Sequence, residues 1–147
     1  MSNVILFTTH FIDDNVIDHL NILKEQIKDA DIYVLFNDTE NKCTLENENI
    51  YYFNSDVVAK HGFVMHYYYP YFPKNVNKEF YKNNFEYGLF CFYKDHPNYN
   101  NYWVIEYDVI YTGNWNDLIL KYERNDFVSS NILTYDQCKT WHMWEND

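Results

Sequence analysis

With 147 residues, 47% of them hydrophobic and 21% aromatic, the chain fits a single domain with a substantial core and is far from the composition of a disordered segment. Its 22 acidic and 11 basic residues give a formal charge of -11, which repels a phosphate backbone over most of the surface and argues against a nucleic-acid partner. A small nucleotide remains open, because a divalent cation can neutralise its diphosphate locally even on an acidic protein.

Cys43, Cys91 and Cys138 are odd in number, widely spaced and without a CxxC pair, so free thiols are expected rather than a disulfide framework or a zinc site. Met1 to Phe7 is too short for a signal peptide, and no apolar run reaches the ~18 residues needed to cross a bilayer. The expectation is a cytoplasmic protein with no membrane span.

In chain order, Val4-Ile5-Leu6-Phe7 is a short apolar run closed by Thr8-Thr9-His10, the pattern of a strand buried on both faces of a parallel sheet. Asp13 or Asp14 can cap a following helix, in which Val16, Leu20, Leu23 and Ile27 recur at helical spacing. Ile32 to Phe36 repeats the buried-strand pattern and ends in Asn37-Asp38-Thr39, completing a strand, helix, strand unit. Ile50 to Phe53 reads as a third strand, followed by a short helix capped by Ser55 or Asp56 and ending near Gly62.

Residues 63–77, with Pro70 and Pro73, read as a long aromatic loop. A helix is expected from about Lys78 to Asp95, with Tyr81, Phe85, Leu89 and Phe92 on one stripe, Gly88 tolerated within it and His96-Pro97 ending it. Tyr102 to Ile105 is a fourth buried strand that runs into Glu106-Tyr107-Asp108. Asn114 or Asn116 caps a short helix carrying Trp115, Leu118, Ile119 and Tyr122. Residues 127–133 form one more extended segment, and 134–147 a polar and aromatic tail.

Strands alternating with helices argue for a mostly parallel sheet flanked by helices, and such sheets bind ligands beyond the carboxyl ends of their strands. Those ends are Thr8-Thr9-His10, Asn37-Asp38 and Glu106-Tyr107-Asp108. In an extended chain the carboxylates of Glu106 and Asp108, at i and i+2, share one side and converge on one cation. Their hard oxygens select magnesium, manganese or calcium, and a metal held by few protein ligands keeps sites for diphosphate oxygens.

The run from Tyr99 to Trp115, and within it Trp103-Val104-Ile105-Glu106-Tyr107-Asp108-Val109 with Gly113 and Trp115, resembles the DxD-type segment of GT-A glycosyltransferases. It is most similar to the group whose motif reads W-x-I-E-x-D-V-x-x-x-G-x-W. The resemblance covers about Tyr93 to Trp115 in sequence and Met1 to Phe53 in architecture alone.

It implies a short, Rossmann-like GT-A fold in one domain over 1–147, with a nucleotide-binding βαβ half at 1–60 and the acidic-motif strand with its flanking helices at 78–133. It implies Asp108 as metal ligand, Glu106 as ligand to the metal or the donor's ribose, and manganese or magnesium as cofactor. Thr8, Thr9, His10 and Asp38 would hold the nucleoside. The implied activity is transfer of a sugar from a nucleoside diphosphate donor to a carbohydrate or glycoprotein acceptor.

GT-A domains usually continue well past the acidic motif, whereas 39 residues follow Asp108 here. A non-catalytic binding or assembly module without a complete acceptor half is therefore the alternative. His142 is the sole late histidine and so the candidate third metal ligand. Asp126, Asp136 and Glu145 are each conceivable as a base, and none is singled out. Trp103 and Trp115 read as core aromatics, and His19 and His96 as solvated. Trp141 and Trp144 read as packing of the tail. With so many aromatics, a homo-oligomeric interface is also open. Three glycines leave no phosphate-cradling Gly-rich loop, against kinase and dehydrogenase readings.

Overall fold

The computed structural model describes residues 2–39, 42–46, 48–63, 85–125 and 128. Eight elements follow in order: β1 (Asn3–Thr9), α1 (Asp14–Gln26), β2 (Ala30–Asn37), β3 (Ile50–Phe53), α2 (Ser55–Lys60), α3 (Phe85–Asp95), β4 (Asn101–Glu106) and α4 (Trp115–Tyr122). Of the loop expected over 63–77 all but Phe63, the first part of the helix expected from Lys78, the segment expected over 127–133 apart from Val128, and the tail lie outside the described residues.

The strands form one four-stranded sheet in the order β3-β2-β1-β4, and every pairing is parallel. This is the α/β architecture with a parallel sheet that the alternating pattern predicts. All seven residues of β1 are buried, as a central strand covered on both faces requires.

Side-chain alternation divides the core. Ile5, Phe7, Val34 and Phe36 pack with Val16, Leu20 and Leu23 of α1 and with Trp115 and Ile119 of α4. Val4, Leu6, Leu35 and Phe53 face the other way, onto Val58 of α2 and Phe85, Cys91 and Phe92 of α3. Full burial of each such side chain stabilises the fold by about 1.5–3 kcal/mol. Trp115 is in the core as expected, and Trp103 packs against its edge.

Local chemistry sets the helix ends. The Asp13 side chain caps α1 by accepting from the Val16 amide at 2.9 Å, and Asn114 caps α4 by accepting from Asp117 at 3.1 Å. For α2 the cap is Asn54, not Ser55 or Asp56. Its Oδ1 accepts from the amides of both Asp56 and Val57, so the helix begins one residue earlier than expected. Gly62, at φ 77°, supplies the left-handed residue after that helix. Within α3, Gly88 faces the Phe53 ring so closely that a Cβ would sit 2.8 Å from it. Lack of a side chain there brings α3 down onto β3.

His19 and His96 are half-buried against aromatic rings rather than simply solvated. His19 meets the Phe7 ring edge-on at 5.1 Å, and His96 stacks on Phe92 at 4.5 Å. Each falls on the apolar stripe of its helix: His19 lies three residues after Val16 and four before Leu23, and His96 lies four after Phe92.

Candidate functional site

β1, β2 and β3 step outward on one side, whereas β4 returns to the other side of β1. The loops leaving these two strands lead into α1 and α4, which pack side by side on the same face of the sheet. In open parallel sheets ligands bind beyond the carboxyl ends of the strands, and the ends of β1 and β4 lie side by side here. Thr8 pairs with Glu106 in register, and the Tyr107 amide donates to the Thr8 carbonyl at 3.1 Å as the last rung of the ladder.

At the β1 end the three expected residues divide. Thr9 is consumed by the turn into α1: its hydroxyl donates to the Phe11 carbonyl at 2.6 Å and accepts from the Phe11 amide at 3.3 Å. Thr8 is fully buried on the α2/α3 side of the sheet, and its Oγ1 has no hydrogen-bond partner. A buried hydroxyl left unpaired costs about 1–3 kcal/mol. His10 is half-buried, with its ring 5.7 Å from that of Tyr107 and 4.9 Å from that of Phe11.

The acidic segment does not continue as a strand. The Val109 amide donates to the Glu106 carbonyl at 3.0 Å, closing a turn with Tyr107 and Asp108 at its centre. The two carboxylates are thus brought together by a turn rather than by strand alternation. The physical reason lies in β1: it ends at Thr9, where the chain turns towards α1, so no partner strand remains to carry the ladder past Tyr107.

Glu106 and Asp108 are both exposed. Partial burial raises the Glu106 pKa above the ordinary carboxyl value, and the carboxylates of Asp108 and of Glu86, in the first turn of α3, raise it further. Carboxylate oxygens gathered at one corner are the hard donors that magnesium, manganese or calcium take. Among the described residues no group of three or more His, Cys, Asp or Glu side chains converges on one point. Glu106 and Asp108 would contribute two oxygen donors, leaving the remaining positions to water or phosphate oxygens. Lys94 is engaged elsewhere, donating to the His61 carbonyl at 2.7 Å.

Asp38 lies across β1 from this pair, at the end of β2 and so two strand spacings, about 10 Å, from the β4 end. It is half-buried, and its Oδ1 accepts from the Asn54 side chain at 2.9 Å. Its neighbour Asn37 is only 2% exposed. The Asn37 Oδ1 accepts from the Thr39 amide at 3.1 Å, whereas its Nδ2 has no partner. Sequence reasoning noted Asn37 only as a strand end. An amide side chain closing an apolar run, directly before a turn, was the available signal.

Thr8, His10, Glu106 and Asp108 are thereby gathered around the β1 and β4 ends, Thr9 is structural, and Asp38 stands apart. His142, Asp126, Asp136 and Glu145 lie outside the described residues. Comparison of the chain with protein-family models, curated proteins and solved structures finds no match.

Proposed function

We propose that the chain is a metal-dependent glycosyltransferase that binds a nucleoside diphosphate sugar at the carboxyl ends of β1 and β4 and transfers the sugar to a carbohydrate or glycoprotein acceptor. The observation that carries this reading is the strand order: it sets the Glu106–Asp108 turn beside the carboxyl end of β1, where parallel α/β sheets bind nucleotides.

Asp108 and Glu106 would hold manganese or magnesium. The cation, when bound, neutralises the diphosphate and the charge developing on the leaving nucleotide. Ionised Glu106 and Asp108 supply hard oxygens and orient the donor through them. His10 and Tyr107 are half-buried aromatic rings beside this corner, a residue type that suits an aromatic base or a sugar face. Thr8 Oγ1, beside Glu106, is a hydroxyl whose hydrogen-bonding capacity is unspent.

The test is release of nucleoside diphosphate from UDP- and GDP-sugars, each with manganese, by the wild-type chain and by Asp108→Ala. Metal-dependent turnover lost in Asp108→Ala supports the proposal. Donor binding without transfer or hydrolysis assigns the chain instead to a non-catalytic module of the same architecture, and no binding of any donor removes both readings.

A further inference from the structure

We infer that His19, on α1, is a positioning residue for the acidic turn, clamping the peptide unit between Tyr107 and Asp108. The inference rests on the reading of Glu106 and Asp108 as metal ligands, and its geometry comes from a contact that reading does not use. The His19 Nδ1 lies 3.0 Å from the Tyr107 carbonyl oxygen, across 88 residues of sequence. A carbonyl only accepts, so Nδ1 carries the proton.

That carbonyl belongs to the central peptide of the turn, the one unit that the turn's own hydrogen bonds leave unfixed. The Tyr107 amide is held by Thr8, and the Val109 amide by Glu106. The two commonest turn types differ by a flip of this central peptide. The flipped form needs positive φ at the third residue, here Asp108, and aspartate tolerates that conformation better than most residues. Turn sterics therefore do not decide between the two orientations. A donor fixed on the neighbouring helix does, and with the peptide plane it fixes the direction of the Asp108 side chain.

His19 is itself well anchored. Its ring meets Phe7 edge-on at 5.1 Å and lies 6.2 Å from Trp115, and α1 packs its stripe onto the sheet on either side of it. The clamp joins the first helix to the turn after the last described strand, which no backbone hydrogen bond of the turn does.

Two substitutions in the full-length chain separate clamping from packing. His19→Phe keeps a ring against Phe7 and Trp115 but removes the N–H, and His19→Asn returns a donor near the place of Nδ1. Manganese affinity is read by the loss of the free-ion paramagnetic signal on titration, with melting temperatures as the control for folding. His19→Phe is expected to bind manganese about five- to tenfold more weakly, the size of one lost hydrogen bond, and His19→Asn to recover most of the loss. Amide exchange at Tyr107 and Val109 is expected to speed up in His19→Phe and not in His19→Asn. Equal manganese affinity in wild type and His19→Phe overturns the clamp. If the wild type binds no manganese, the metal reading fails by itself. Amide exchange then decides the clamp, and unchanged exchange in His19→Phe overturns it.

Discussion

Glu106 is the residue at which charge, burial and the proposed chemistry meet. Its raised pKa means that the folded chain binds a proton there more tightly than the unfolded chain does. The stabilisation from that proton is present below the ordinary glutamate range and is lost as pH rises through the folded value. At neutral pH the ionised side chain is therefore a small liability, screened by solvent because the residue is exposed. Glu106→Gln is expected to melt slightly higher than wild type at pH 7, with the difference vanishing near pH 4. Thermal unfolding at the two pH values checks this, and a variant less stable at pH 7 contradicts it. Manganese affinity should fall on acidification at a higher pH than for an unperturbed glutamate, since the cation competes with a tightly held proton.

Gly88 makes a second argument from a single residue. Alanine would gain up to about 1 kcal/mol in helix propensity. Its methyl would nonetheless meet the body of the Phe53 ring, which is fully buried and has no room to withdraw. Overpacking of this kind costs about 1–3 kcal/mol, so Gly88→Ala is expected to lower the melting temperature by several degrees. An unchanged or raised melting temperature would show that α3 can shift without loss. The sequence registers only a tolerated glycine at this position, because the neighbour that demands it lies on β3, far away in the chain.

The elements that were legible are those whose pattern is local. β1 and β2 are continuous apolar runs, and the stripe of α1 is marked by Val16, Leu20 and Leu23. The ends of elements were less so, because they depend on which of several polar residues is oriented to cap. Asn54, Ser55 and Asp56 are all able to cap α2, and Asn54 does so because it leaves β3 in an extended conformation with its side chain aimed at two amides. Asn54→Ala removes that cap and the link to Asp38 together. The expected cost is about 1 kcal/mol or somewhat more, measured by denaturant unfolding; a loss confined to a few tenths would mean that another residue takes over the cap. The turn at Glu106 to Val109 was not legible as a turn. What ends β4 is the end of the neighbouring strand β1 at Thr9, and alternation within the segment carries no trace of it. His19 was legible in principle, since its spacing from Val16 and Leu23 puts it on the buried stripe.

For the molecule as a whole, the decisive feature is strand order. An alternating pattern of strands and helices is compatible with several orders, and only the return of β4 to the far side of β1 makes the Glu106–Asp108 turn a neighbour of Thr8 and His10. On the proposed function the net charge of -11 bears on this placement, because a cation would offset the repulsion between an acidic chain and a diphosphate. The most direct measurement is a calorimetric titration of UDP and GDP into the wild-type chain and into Asp108→Ala, each with manganese and with chelator. The expected result is saturable binding to the wild type that requires manganese and is lost in Asp108→Ala at an unchanged melting temperature. Binding that ignores both manganese and Asp108, or no binding of either nucleotide, would contradict the account.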